Sequence, residues 1–199
     1  MSLKGDKTKQ DIREKAYQLF AEKGFKDVTM KDICEFTGLS RGGLYRHYES
    51  TEQIFLEIVN AFSNKQKSEV FTKIEQHVPA TTILEELLSR YATEMIDYEN
   101  SLSLAIYEFY SNPAVSKEDN SVKKQYKISK STWIELINYG IDTKEFNSVN
   151  PESIFNVIIF AYQGVRMYSK LMKMDKDIPN QIINEIKRLL LPEEVQHEK

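Results

Sequence analysis

Between Ser40 and Tyr48 the chain reads SRGGLYRHY, which gathers Arg41, Tyr45, Arg46 and His47 into one short segment. Two guanidiniums, a phenol and an imidazole are donors suited to phosphate oxygens and to the acceptor edges of bases, and flat rings can lie against sugar or base. Gly42 and Gly43 interrupt this set. A glycine inside a helix costs roughly 0.8–1.0 kcal/mol relative to alanine, so two in succession need a reason. Without side chains there, the first helical turn can approach an anionic strand, where unpaired backbone donors and the positive dipole end favour negative charge. Leu44 and Tyr48, four residues apart, share another face and should anchor the segment to a core.

Such a segment needs elements to hold it. Only 7 glycines and 5 prolines occur in 199 residues, apolar residues recur at steps of three and four, and strict alternation is scarce, so the chain reads as all-α with about nine helices. The first helix spans 7–23, with Ile12, Ala16, Leu19 and Phe20 on one face, Gly24 as a left-handed stop and Phe25 folding back. Thr29 caps the second, with Asp32 in a near relative of the capping box and Ile33, Cys34 and Phe36 turned inward; Gly38 ends it. Ser40 caps a third, very short helix reaching about Tyr48. Ser50 and Gln53 form another capping box that opens a long helix from Thr51 to about His77. Two short helices over about 29–48, preceded by a longer one, fit either a helix-turn-helix that reads DNA or an ordinary compact helical hairpin.

Further helices are expected at 80–98, 101–111, 115–140, 151–174 and 179–191, with Gly140 among the breakers. Asn150-Pro151 is a strong start, since asparagine caps and proline's missing donor costs nothing in the first turn. The polar residues 192–199 should fray. The expected division is a DNA-binding domain at 1–50 and an effector-binding and dimerisation domain at 51–199.

The net charge of −3 hides an asymmetry: residues 1–50 hold 10 Lys and Arg against 8 Asp and Glu, the rest 17 against 22. The difference is mild, so pattern must decide the partner. Cys34 is the sole cysteine, which precludes an internal disulfide and a thiolate zinc site and suits a reducing compartment. No apolar run approaches the roughly 20 residues of a membrane span, and MSLKGDKTKQ lacks the apolar stretch of a secretory signal; a cytoplasmic protein away from membranes is expected. His47, His77 and His197 fall on separate elements, and the one Glu-x-x-His spacing, Glu194 to His197, lies in the polar tail. Neither a metal cluster nor a catalytic triad assembles from them, so no enzyme, no metal and no cofactor are expected. The rival readings are a helical enzyme and a helical protein-interaction module; the second accounts for apolar C-terminal helices but not for the basic, glycine-opened segment.

The stretch AYQLFAEKGFKDVTMKDICEFTGLSRGGLYRHYESTEQIF resembles the N-terminal domain of the tetracycline-repressor (TetR) family of bacterial regulators. It shares a helix ending in Phe-x-x-x-Gly-Phe, a Thr-capped helix, then Gly-Leu-Ser-x-Gly-x-Leu-Tyr-x-His-Tyr, and the likeness covers about a quarter of the chain, Ile12 to Val59. The resemblance implies a transcriptional regulator, in most such proteins a repressor released from its operator by a small molecule. It implies that Thr29, Ser40 and Tyr45 hold phosphates, and that Arg41, Gly43, Arg46 and His47 face base edges or backbone, beside Gly42. Where the family usually carries a lysine at the start of the fourth helix, this chain has Thr51, which can donate a hydroxyl but bears no charge. Weaker, less salt-dependent DNA binding is expected unless Lys4, Lys7, Lys9 or Lys31 compensates.

The segment 151–174 is apolar almost all round and must be covered on every side. With the stripe of 182–190 it should form a symmetric homodimer through Phe160, Gly164, Tyr168, Ile182, Ile186 and Leu189, as the resemblance also implies, and a dimer addresses a near-palindromic operator of double-stranded DNA. Tyr91, Met95, Tyr98, Phe109, Tyr110, Tyr126, Trp133 and Tyr162 are candidates for lining an effector pocket, because so many hydroxyls suit a cavity wall better than a dry core. Glu94 and Glu108 would then balance a cationic ligand. A ligand fitting one arrangement only would tilt the helix 51–77 and change the separation of the reading heads.

Overall fold

The computed structural model describes residues 3–115 and 120–192, without the side chains of 3, 4 and 62–67. The described residues hold nine helices and no strand: α1 Leu3–Lys23, α2 Met30–Thr37, α3 Arg41–Tyr45, α4 Thr51–Glu75, α5 Ala80–Ile96, α6 Ser103–Tyr110, α7 Ser121–Asp142, α8 Pro151–Leu171 and α9 Ile178–Leu190. No helix among them is long and apolar enough to cross a membrane. Residues 193–199, with Glu194 and His197, lie outside the described residues.

The chain divides into two compact units, Met1–Phe62 with Glu99–Lys124, and Ser63–Tyr98 with Gln125–Lys199. The first therefore takes in α6, some fifty residues beyond the segment 1–50. The reason is apolar packing: Ala105 and Phe109 of α6 join Phe20, Ile33, Leu44, Tyr48, Ile54 and Phe55 in one core. Phe25 folds back as its sequence position suggests, with its ring 5.9 Å from Phe20 and 4.7 Å from Phe109.

Local caps set the short helices of this unit. The Thr29 hydroxyl accepts from Asp32 N–H while the Asp32 side chain accepts from Thr29 N–H, a complete capping box, and Gly38 at φ 72° closes α2 in the left-handed region. At the start of α4 the Ser50 hydroxyl accepts from Gln53 N–H at 3.2 Å, but the Gln53 side chain reaches back to Glu49 N–H, one residue earlier than a reciprocal box requires. Phe36 departs from expectation: it is 46% exposed. At 100° per residue it stands roughly 110° round α2 from the centre of the face made by Met30, Ile33, Cys34 and Thr37.

The second unit packs α5, α7, α8 and α9 around Leu84, Leu88, Trp133, Leu136, Phe155 and Ile158. No side chain of its own caps α5; Glu145, from the connection after α7, accepts from the N–H groups of Ala80 and Thr81, each at 3.0 Å. Burial alone would raise this carboxyl, but those amides and two threonine hydroxyls hold it below the ordinary glutamate value. Gly140 does not break a helix as expected. It lies within α7, and a β-carbon there would stand 2.2 Å from the Phe146 ring, so the glycine is a packing requirement.

Candidate nucleic-acid interface

The segment 40–48 is pinned on one side and open on the other. Leu44 and Tyr48 are buried to 0% and 1% exposure, whereas Arg41, Gly42, Tyr45 and Arg46 are exposed and His47 is half-buried. The helix is shorter than its sequence suggests: α3 stops at Tyr45, and the N–H groups of His47 and Tyr48 both turn back to the Leu44 carbonyl, at 2.9 and 3.1 Å. One turn apart, the Arg41 guanidinium stands 5.5 Å from the centre of the Tyr45 ring, a cation–π contact that holds both side chains as a pair.

The two glycines are not equivalent. Gly43 N–H donates to the Ser40 hydroxyl at 3.1 Å, and a β-carbon at 43 would crowd that same oxygen at 3.2 Å. Its bareness serves the cap. A β-carbon at 42 would meet nothing within 4 Å, so nothing inside the chain asks for glycine there. The backbone of 42 is accessible from solvent, beside exposed Arg41 and Ser40.

Thr29 is exposed, yet its hydroxyl donates to Asp32 and its N–H donates to the same carboxylate oxygen at 2.8 Å. Hydrogen bonds from Thr29 hold the Asp32 carboxyl below its ordinary range. Both donors of Thr29 are thus engaged in the cap. Thr51, half-buried, opens α4.

A polar anchor that sequence reasoning missed lies beneath. The Tyr48 hydroxyl donates to Glu57 at 2.8 Å, Arg13 donates to the same oxygen at 3.1 Å, and the Lys9 ammonium is 3.7 Å from the other oxygen and 5.0 Å from the Tyr48 ring centre. Burial, then the hydrogen bond to Glu57 and its charge, push the Tyr48 phenol up to about 12. Burial alone would raise Glu57, but the bonds from Tyr48 and Arg13 and the charge of Lys9 outweigh it and leave the carboxyl below its ordinary value. Lys9 is therefore committed inward, Lys31 pairs with Glu35 at 3.7 Å, Lys7 is exposed, and the Lys4 side chain lies outside the described residues. The Lys9-to-Arg13 spacing was legible as one helix face, but no local pattern names Glu57 as its partner.

Glu108 likewise does something other than expected. Its carboxylate accepts from the N–H groups of Phe25 and Lys26 at 2.7 and 3.1 Å, which makes it a clasp on the turn between α1 and α2 instead of a counter-charge for a ligand. Gly24, at φ 82°, lies beneath: a β-carbon there would be 2.6 Å from the Glu108 carboxylate.

Comparison with known proteins agrees with this architecture along most of the chain. Residues 12–58 match the family model of bacterial regulatory proteins of the tetR family, and residues 83–178 match the tetracyclin repressor-like C-terminal domain. The chain belongs to the TetR family. Among its relatives is the HTH-type transcriptional regulator YfiR of Bacillus subtilis, of unassigned role, 29% identical over 73% of this chain and 71% of that protein. Another is the HTH-type transcriptional regulator QacR of Staphylococcus aureus, 28% identical over 74% of each. The solved structure of the ketosteroid transcriptional regulator KstR2 of Mycobacterium tuberculosis superposes with a TM-score of 0.66 at 18% identity, covering 93% of this chain and 95% of that one, a likeness of fold.

Within this TetR-family chain, the aromatic residues named as pocket candidates divide between the two units. Phe109 and Tyr110 pack in the first, with Phe109 against Phe25 and Phe55. Tyr91, Met95, Trp133 and Tyr162 are buried in the second, Tyr126 is half-buried against Phe155, and Tyr98 is exposed. The dimer candidates divide too. Phe160, Gly164, Tyr168 and Leu189 face outward, Phe160 at 65% exposure, together with Val157 and Leu171. Ile186, at 2%, points into its own unit's core, and Ile182 is half-buried against that core. Ile186 shares its inward face with Ile183 and Leu190, at the three- and four-residue steps that a stripe on an outward face would also show.

Proposed function

We infer that this TetR-family regulator acts as a homodimeric repressor that reads a near-palindromic operator through residues 29–51 and leaves it when a small molecule binds the second unit. The carrying observation is the two-sidedness of the segment 40–48. Its inner side is locked by Leu44 and by Tyr48 on Glu57, while its outer side presents Arg41, Tyr45 and Arg46 beside bare backbone at Gly42. Such a rigid base with exposed donors fits insertion in a major groove, where guanidiniums read guanine edges and neighbouring hydroxyls hold phosphates. Ser40, His47 and Thr51 flank that surface; Thr29 acts chiefly as the cap that orients α2. Relatives named as transcriptional repressors, including KstR2 of Rhodococcus jostii at 26% identity over 79% of this chain, support repression.

Release needs a route from the effector to α3. α4 contributes residues to both units, and six residues join α5 in the second unit to α6 in the first. A ligand that favours one arrangement of α5 draws on α6, whose Glu108 and Phe109 hold the turn before α2. The route expected from sequence, a tilt of α4, thus gains a second arm.

Selection of bound fragments from a random DNA pool tests the reading. A near-palindromic consensus is expected, and Arg41→Ala and Tyr45→Ala should each weaken binding to it at least about tenfold with unchanged circular dichroism. Retained specific affinity in both variants would contradict the assignment.

A further inference from the structure

Inside the second unit, three helices bring together four aromatic or charged groups of one electrostatic kind and one of the opposite kind. Tyr91 and Glu94 stand one turn apart on α5, Trp133 is on α7, and Tyr162 and Arg166 stand one turn apart on α8. The Tyr91 and Tyr162 rings stack with centroids 4.2 Å apart, and Trp133 meets Tyr91 edge-on at 5.7 Å while its ring N–H donates to the Tyr91 hydroxyl at 3.2 Å. The Tyr162 hydroxyl donates to the Glu94 carboxylate. Over the Tyr162 ring, at 5.2 Å, lies the Arg166 guanidinium, which also donates to the Tyr162 hydroxyl at 2.8 Å.

The electron-rich outer face of Tyr162, backed by its stack on Tyr91 and bordered by the Glu94 carboxylate, attracts a cation, and here the chain supplies one from its own helix. Arg166 is only half-buried, on a long flexible stem, and its guanidinium can return to water at modest cost. A cation with apolar substituents is poorly hydrated and gains more from the same rings. A neutral ligand gains no cation–π attraction to offset the displaced guanidinium, and Glu94 repels an anion once the guanidinium has left. We propose that Tyr91, Trp133, Tyr162 and Glu94 form the recognition site for an organic cation of the quaternary ammonium kind, and that Arg166 fills this site as an internal competitor when no ligand is bound. The inference deepens, and rests on, the reading of the second unit as the effector-binding part.

Trp133 is the only tryptophan in the chain, so its fluorescence reports on the site directly. Titration of the full chain with benzyltrimethylammonium is expected to quench it saturably, and the uncharged analogue bearing a tert-butyl group in place of the ammonium is expected not to. Glu94→Gln, which keeps shape and removes charge, should weaken the cation about tenfold, whereas Arg166→Met should tighten it by a similar factor. Equal quenching by the uncharged analogue, no saturable quenching by either probe, or weaker cation binding in Arg166→Met overturns the proposal. The same preparations are assayed on the selected operator fragment. Operator binding without discrimination between the probes removes the cation site alone; discrimination without operator binding removes the regulatory reading and leaves the site.

Discussion

At position 42 a β-carbon would meet no atom of the described residues within 4 Å beyond its own helical turn, so alanine there should cost the fold nothing. The smaller entropy of its unfolded chain and its better helix propensity should stabilise the protein by about 0.4–1 kcal/mol. If glycine is present because a DNA strand passes close by, Gly42→Ala raises the melting temperature and lowers operator affinity together, and paired thermal melts and binding curves check this. Gly43→Ala should behave otherwise, since its β-carbon crowds Ser40 Oγ at 3.2 Å, and no gain in stability is expected. Charge at the edge of the site gives a second expectation: Thr51→Lys should steepen the dependence of log affinity on log salt by about one. Beneath the site, Glu57 has a folded-state carboxyl held below its ordinary value, so its contribution is present above roughly pH 4.3 and is lost as pH falls through the depressed value. Melts of the chain and of Glu57→Gln should therefore differ at pH 6 and draw together as pH is lowered through that depressed value. The donors Arg41, Tyr45 and Arg46 were legible because residue type and helical spacing are local facts. The Tyr48–Glu57–Arg13 anchor was not, because its members come from three elements and only the fold brings them within 3.1 Å.

At the scale of elements, the helix joints were readable wherever capping chemistry is local. Thr29 with Asp32, Gly38, Ser40 and Asn150-Pro151 all sit where their types suggest. Reading went astray where a distant partner decides the outcome. Gly140 looks like a breaker in one dimension but lies inside α7, its missing side chain leaving room for the Phe146 ring, and Glu108 looks like a spare carboxylate until α6 is laid against the turn after α1. That clasp makes a specific expectation. A carboxylate on two backbone amides is a charge-assisted contact, and the neutral amide of Glu108→Gln offers a single, weaker acceptor oxygen. Glu108→Gln should loosen the turn at 24–26, seen as faster amide exchange at Phe25 and Lys26, and should lower operator affinity while leaving exchange in the second unit unchanged. An unaltered exchange rate at those two amides would show that the clasp does not hold the turn in solution.

For the whole molecule the decisive surface is the outer face of α8. Val157, Phe160, Gly164, Tyr168 and Leu171 follow one another at steps of three and four, all exposed in the single chain, and a β-carbon at Gly164 would meet nothing within 4 Å. An apolar stripe of this length on a water-facing helix marks an interaction surface, and in the dimer proposed above a second copy of α8, with a bare glycine at its centre for close approach, would match it by two-fold symmetry. Sequence periodicity led to the expectation that α8 is covered on all sides; it did not sort the residues of α9, where Ile186 turns inward and Leu189 does not. This sorting separates interface from fold by mutation. Phe160→Asp, at 65% exposure, should leave circular dichroism and thermal stability of the chain nearly unchanged but convert a dimer into a monomer in sedimentation at micromolar concentration. Ile186→Asp, placing a charge in a packed core, should instead unfold the second unit. Because two linked reading segments bind half-sites with an effective concentration that a monomer lacks, Phe160→Asp should also weaken binding to the full operator about a hundredfold while affinity for an isolated half-site stays the same. A Phe160→Asp protein that still sediments as a dimer places the subunit contact on another face of the molecule.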